Sequence, residues 1–310
     1  MNPETGRLEI DCNAAGAGFV VASSECSLDE VGELVYPNPA FGQLILKAMD
    51  ILNKEDQPLC IFQVTSFRQL GRRSCWQHLA VVPFKDRQLL AARSPPRVSF
   101  PHAELLKLNT PLAQESNASV FDLSKESLDF KIFRLTSTDI CKLKEKAKTH
   151  NATDGVRISS FNVVTAHIWR CKALSYEEEG EVGQDLERVS TILYAVNIRP
   201  RLAPPLPASY TGNAVLTAYA CAKCKELEEG PFSRLVEMVG EGAKRMNDEY
   251  ARSVIDWGEI NRGFPHGEFL VSSWWRLGFE EVEYPWGCPR SLSEEPTVGP
   301  WNLKNLRVAY

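Results

Sequence analysis

The sequence predicts an α/β fold, with helices packed on a β-sheet, and three stretches in its second half support this prediction. Ser159 and Ser160 can cap a helix, because a hydroxyl accepts hydrogen bonds from the open N–H groups of a first turn. Apolar residues then cover almost the whole circumference as far as Leu174, which is typical of a buried helix. Two predicted strands, residues 189–199 and 214–221, follow on either side of a proline-rich loop.

The other elements follow from local patterns. Residues 59–67 combine apolar and β-branched side chains, which favours a strand. Residues 138–149 and 232–250 carry apolar residues at helical spacing on one face, so each predicts an amphipathic helix, and the longer one is expected to lie on the sheet. The remaining predictions are strands at 7–12, 19–23, 130–135, 268–274 and 279–284, and short helices at 27–34 and 83–93.

Composition excludes several classes of protein. The chain has 310 residues and a formal net charge of −5, which argues against a nucleic-acid-binding protein, because phosphate contacts need a basic face. No apolar run is long enough for a membrane span, and the first residues do not resemble a signal peptide. Nine cysteines follow no disulfide spacing, and Cys221 and Cys224 form a lone pair without a zinc pattern. We therefore expect a cytoplasmic monomer without a metal site.

Several motifs carry a resemblance to a known family. Residues 159–174 read SSFNVVTAHIWRCKAL and are followed by YAVNIRPRL and GNAV. These motifs resemble the C-terminal half of the plant BAHD acyltransferases, which move an acyl group from coenzyme A to an alcohol or amine. Further similar stretches lie at 7–25, 58–67, 86–98 and 272–287. They are most similar to hydroxycinnamoyl-CoA transferases that acylate fatty alcohols or ω-hydroxy fatty acids.

The resemblance implies a CoA-dependent, chloramphenicol acetyltransferase-like fold of two similar domains with mixed sheets, of which the first is incomplete. It divides the chain into an N-terminal domain at 1–98, a crossover linker at 99–128, a C-terminal domain at 129–287 and a divergent tail at 288–310. In the family, a strand like that at 59–67 leads to a second strand and then to the motif HxxxDG. Here the chain passes from that strand directly into a stretch that the family places after the motif, so we expect an internal deletion.

The catalytic base is the main departure from the family pattern. Acyl transfer from a thioester needs a group that takes the proton from the attacking hydroxyl, and in the family this is the His of HxxxDG. His150 and Asp154 reproduce the spacing of that motif, but they lie in a polar loop of the predicted second domain. We interpret this match as a coincidence. The other histidines lack the motif; these are His78, His102, His167 and His266. Of these, His167 is expected to be a core residue whose hydrogen bonds are made within the protein.

The coenzyme side is better preserved. The resemblance places two groups of residues near the CoA channel, one at the start of the buried helix and one at the end of the following strand. The arginine guanidinium groups at the strand end could bind phosphate oxygens through two parallel hydrogen bonds. The alternative is a surface arginine pair with weak salt bridges. The predicted CoA-binding residues are Ser159, Ser160, Asn162, Thr165, Asn197, Arg199 and Arg201.

Two short motifs remain. Ser272 and Trp274 are implied to line the acceptor pocket with a hydroxyl and an indole N–H, and the alternative is an edge strand with a buried Trp. Tyr284, Trp286 and Gly287 stand where the family has DFGWG, so a packing role is implied for them.

The expected function follows from the family. Acyl-CoA would be a co-substrate rather than a permanently bound cofactor, and a hydroxycinnamoyl-type group would pass to a hydroxyl of a small aliphatic acceptor. Loss of the general base alone removes about 10²–10⁴-fold in rate, so we expect little or no turnover. The alternatives are a non-catalytic protein that binds a CoA thioester or a partner enzyme, and an unstable fragment without a function of its own.

Overall fold

A computed structural model describes residues 16–27, 29–31, 44, 58, 60–67, 81–107, 133–148, 158–175, 185–274 and 277, and the backbone of residues 306–309. The chain divides into two compact units. The first unit comprises residues 1–77, 110–132 and 279–296, and the second comprises residues 78–109, 133–278 and 297–310.

The described part of the first unit contains a parallel pair of strands. Strand β1 (Gly18–Ser23) pairs with β2 (Ile61–Ser66), with Phe19 opposite Phe62 in the register. A strand was predicted at 19–23 after a glycine turn and another at 59–67 from its β-branched residues, and both are confirmed. The predicted strand at 7–12 lies outside the described residues.

A mixed sheet forms the centre of the second unit. Strands β4 (Val189–Asn197), β5 (Val215–Lys223), β7 (Phe269–Ser273) and β8 (Leu306–Ala309) are ordered β5-β4-β7-β8. Strand β4 is antiparallel to β5 and parallel to β7, and β7 is antiparallel to β8. The strands predicted at 189–199, 214–221 and 268–274 are therefore confirmed.

A separate antiparallel pair joins β3 (Leu105–Lys107) to β6 (Gly263–Pro265), so residues far apart in the chain meet here. Residues 99–107 fall within the predicted linker, and the structure places them in the second unit. The predicted helix at 83–93 is wrong, because only a 3-10 turn forms, at Arg87–Leu90, capped by Asp86.

The central helix confirms the sequence prediction. The helices of the described part are α1 (Ser137–Ala147), α2 (Ser160–Leu174), α3 (Cys224–Glu229), α4 (Phe232–Arg245) and α5 (Asp248–Ile260). Helix α2 buries Val163, Val164 and Trp169 completely, and it packs against α1 and α4. The Trp169 indole N–H donates to Ser190 Oγ on β4 over 2.9 Å, which satisfies the one polar atom of this buried ring.

The predicted helix at 232–250 is wrong in its length, because α4 ends at Arg245 and α5 begins at Asp248, after two intervening residues. The Asn247 side chain accepts a hydrogen bond from the Tyr250 N–H over 2.9 Å and so caps a new helix. Asp248 and Glu249 follow in the first turn, where the helix dipole favours acids. Met246 and Tyr250 are nevertheless both buried, as the apolar spacing indicates.

In the part of the chain that the structure describes, every helix is too short or too polar to cross a bilayer.

Candidate functional site

The start of α2 carries four of the predicted CoA-binding residues. Ser159 is the N-cap, and its Oγ accepts from the Asn162 N–H over 3.4 Å. Asn162 is half-buried beside α4, where a Cβ added at Gly240 would meet its Nδ2 at 3.0 Å. The structure therefore places Ser159 and Asn162 together, with Ser160 half-buried between them.

Thr165 lies one turn further along α2 and is fully buried. Its Oγ1 has no hydrogen-bond partner among the described residues. A buried hydroxyl without a partner costs about 1–3 kcal/mol. Thr165 is the one predicted CoA-binding residue whose polar atom is both buried and unpaired within the described part of the chain.

Asn197 and Arg199 form a local pair at the end of β4. The Asn197 Oδ1 accepts from the Arg199 backbone N–H over 3.1 Å and from its Nη1 over 3.2 Å. The Arg199 Nη2 donates to the carbonyl oxygen of Gly212, in the loop that leads to β5. Arg199 is half-buried and tied to two points of the protein, so its guanidinium is held in a defined direction.

Arg201 has a structural role that the sequence did not predict. Its Nη1 donates to the carbonyl oxygens of Ala243 and Met246, the second over 3.3 Å. These carbonyls lie at the end of α4, where the helix dipole is negative. Arg201 therefore stabilises the break between α4 and α5, and a CoA-binding role for Arg201 stays a prediction.

The two predicted acceptor residues contact each other at the end of β7. The Trp274 indole N–H donates to Ser272 Oγ over 2.9 Å. Strand β7 lies between β4 and β8, and 37% of the Trp274 surface is exposed. This arrangement differs from the alternative of an edge strand with a buried Trp.

The remaining predicted site residues lie outside the described residues; they are His150, Asp154, Tyr284, Trp286 and Gly287. Among the histidines that the structure describes, His102 is buried, His266 is exposed and His167 is half-buried beside Cys171. Burial and the nearby Lys146 and Arg170 lower the pKa of His167.

The stretch 81–107, here called the strap, is held on α5 by polar contacts that sequence reasoning missed. Asp256 is 1% exposed, and its carboxylate accepts from the backbone N–H groups of Arg93 and Arg97, both over 2.8 Å. The Arg93 Nε donates to the same carboxylate over 2.6 Å. Polar residues at 249, 252, 253 and 256 recur at i, i+3, i+4 and i+7, a one-face spacing that could have indicated this contact.

Asp256→Asn is expected to destabilise the second unit by about 1–3 kcal/mol at pH 7, because buried N–H donors lose a charged acceptor. Burial alone would raise the pKa of Asp256, but the donors from Arg97 and Arg93 outweigh it and lower the pKa. The carboxylate therefore contributes stability above about pH 4, its unfolded value, and this stability is lost as pH falls through the lower folded pKa.

Urea unfolding at pH 7 and pH 3 measures this effect. The difference in unfolding free energy between Asp256→Asn and the parent should shrink at pH 3. Glu145→Gln is the matched control, because Glu145 is an exposed partner of Lys148 and such pairs contribute little. A difference that is the same at both pH values would contradict this account of Asp256.

Comparison with known proteins identifies the family to which the chain belongs. A family model described as "Transferase family" matches residues 1–72 and 69–296. Acyltransferase GLAUCE of Arabidopsis thaliana is 54% identical over 315 residues, which cover 94% of this chain and 69% of the relative. The chain belongs to the BAHD acyltransferase family, as the sequence resemblance predicted. Family membership and the mixed sheet also confirm the predicted class of fold.

Two further similarities are weaker. Omega-hydroxypalmitate O-feruloyl transferase of Arabidopsis thaliana is 30% identical over 320 residues, covering 93% of this chain and 67% of that protein. The crystal structure of vinorine synthase aligns with a TM-score of 0.36 and 24% identity, over 50% of this chain and 34% of that one.

The matches also bear on the expected internal deletion. The family model matches in two pieces that meet at residues 69–72, directly after the stretch that contains β2. The alignment with the 54% identical relative runs over 315 residues, more than the 310 of the whole chain, so it includes positions that this chain lacks.

Proposed function

We propose that this chain is an internally shortened, acyl-CoA-dependent O-acyltransferase that holds the coenzyme thioester in its second unit and transfers the acyl group only slowly. The observation that carries the proposal is the 54% identity to an Arabidopsis acyltransferase across 94% of the chain. The second unit supports it, because the predicted helix and strands of the CoA channel are present as α2, β4 and β5.

The proposed acyl donor is a hydroxycinnamoyl-CoA and the proposed acceptor is an aliphatic hydroxyl. Relatives point to this chemistry by their names, among them an omega-hydroxypalmitate O-feruloyl transferase and a fatty alcohol:caffeoyl-CoA acyltransferase, at 30% and 27% identity. Arg199 would contribute a fixed guanidinium for a phosphate, and Ser272 and Trp274 would line the acceptor pocket. We further propose that the protein is a cytoplasmic monomer, and the absence of a disulfide spacing among its nine cysteines supports the cytoplasmic location.

Slow transfer follows from the position of the histidines. His102 is enclosed, and His167 is half-buried in α2 with a lowered pKa. Neither has the HxxxDG context that supplies the base in the family, and the exposed His266 lacks it too. The interrupted family match favours a second candidate function, a non-catalytic protein that binds a CoA thioester.

Incubation of the purified chain with feruloyl-CoA and 16-hydroxypalmitate, followed by chromatography of the ester, tests the proposal. We expect ester formation that is slow but above the rate without protein, and His150→Ala should leave it unchanged. Binding of feruloyl-CoA without any ester would favour the second candidate. Neither binding nor ester would overturn both, and an inactive His150→Ala that melts like the parent chain would indicate that His150 is the base.

A further inference from the structure

Four buried side chains connect the strap to α5 through a chain of hydrogen bonds. His102 is 5% exposed, and Glu104 and Ser253 have no exposed surface. The His102 Nε2 lies 2.7 Å from Ser253 Oγ, and its Nδ1 lies 3.1 Å from Glu104 Oε1. The Tyr250 hydroxyl donates to the same Glu104 oxygen over 2.7 Å.

The partners define the direction of these bonds. The Ser99 backbone N–H donates to Ser253 Oγ over 2.8 Å, so this oxygen already accepts one bond. The Glu104 carboxylate only accepts hydrogen bonds, so the Nδ1–H of His102 donates to it, and in that tautomer Nε2 accepts from the Ser253 hydroxyl. The order Ser–His–acid is that of a hydrolase triad. Because Ser253 is fully enclosed, its hydroxyl meets no substrate, and the network holds structure instead.

The contacts with the strap extend along most of the length of helix α5. Besides the Asp256 and Ser253 contacts, the Arg252 Nη1 donates to the Leu89 carbonyl over 3.1 Å, and Glu249 accepts from the Ser99 hydroxyl over 2.8 Å. Four of the bonds between α5 and the strap involve the strap's backbone, at Leu89, Arg93, Arg97 and Ser99, so one face of α5 fixes the path of the strap.

The other end of the strap holds the loop next to Arg199. The Phe84 N–H donates to the Ser209 carbonyl and the Thr211 N–H donates to the Phe84 carbonyl, both over 2.8 Å. The Arg87 Nη1 donates to the Thr211 carbonyl over 2.8 Å. The next carbonyl, that of Gly212, is the one that binds the Arg199 guanidinium. The strap therefore links α5 to the residues that orient Arg199.

We propose that His102, Glu104 and Ser253 are positioning residues, which anchor the strap on α5 and thereby fix the 209–212 loop and the Arg199 guanidinium. The part that concerns coenzyme binding rests on the proposed function. The part that concerns the loop does not, because it depends only on contacts within the second unit.

Amide hydrogen exchange of Ser253→Ala tests the anchor. The Ser99 amide loses its acceptor and should exchange at least about tenfold faster. The distant Thr211 amide should also exchange several-fold faster, although Ser253 does not contact it. If Ser253 had a purely local role, the exchange rate of the Ser99 amide alone would rise. Ser137→Ala is the matched control, because Ser137 is an exposed serine of α1, and it should change neither amide.

His102→Leu is the second variant, in case Ser253→Ala does not melt cooperatively. It removes both the acceptor for the Ser253 hydroxyl and the donor to Glu104, so Thr211 exchange should again rise several-fold. Titration with feruloyl-CoA should show weaker binding in both variants. Unchanged Thr211 exchange in a folded variant would overturn the proposal. Lack of feruloyl-CoA binding by the parent chain would contradict the proposed function, while the exchange result would still decide the role of the anchor.

Discussion

Inserting after Phe67 the segment that the proposed deletion removed, taken from the 54% identical Arabidopsis acyltransferase, is expected to raise the rate of ester formation by about 10²–10⁴-fold. This is the range that a positioned general base contributes to a reaction. The insertion point follows β2 and lies just before residues 69–72, where the two pieces of the family match overlap. Because α2, β4 and β5 are already in place in the second unit, the insert would have to supply only the base and its supporting strand.

The control for this experiment is the same insert with Ala in place of its HxxxDG histidine. It should melt like the active insert and turn over as slowly as the present chain. An insert-bearing protein that melts cooperatively but gains no rate would show that the deletion does not limit activity.

Gly242→Ala is expected to destabilise the second unit by about 3 kcal/mol. A Cβ at this position of α4 would overlap the Tyr194 hydroxyl and the Tyr219 carbonyl. Tyr194 is fully buried and donates to the Val239 carbonyl over 2.7 Å, so the side chain cannot move without losing a buried hydrogen bond. Overpacking and a lost buried hydrogen bond each cost about 1–3 kcal/mol.

Gly258→Ala is the control for Gly242→Ala, because it adds the same methyl group to a helix at a position with free space. Gly258 lies in α5, is exposed, and has no atom within 4 Å of an added Cβ. Alanine is favoured over glycine in a helix by roughly 1 kcal/mol, so this variant should be slightly more stable. Chemical denaturation of both variants measures the difference, and a loss of equal size in both would contradict the packing described for Gly242.

Local patterns predicted the elements whose own residues carry a clear signal. Helix α2 follows from its serine cap and its apolar circumference, and β4 and β5 follow from their runs of apolar and β-branched residues. The break at Asn247 was missed because apolar spacing continues across it, and a single side-chain cap decides it. The strap was missed because extended backbone held by a distant helix has no period of its own.

The candidate site was less predictable, because its residue types fit several roles. Arg199 and Arg201 suit phosphate binding in sequence, yet both bind backbone carbonyls in the structure. His102 lies in a stretch that reads as a polar linker, and it is buried only because Ser253 and Glu104 satisfy both ring nitrogens. Partners 151 residues apart cannot be recognised from one sequence without a pattern that links them.

Thermal unfolding of the purified chain with and without feruloyl-CoA tests the central claim most directly, that the second unit is a folded acyltransferase unit that holds a CoA thioester. We predict one cooperative transition whose midpoint rises with feruloyl-CoA, since a ligand at 100 times its Kd stabilises by about 2.7 kcal/mol. Unfolding without a cooperative transition, or a midpoint that feruloyl-CoA does not raise, would contradict the account.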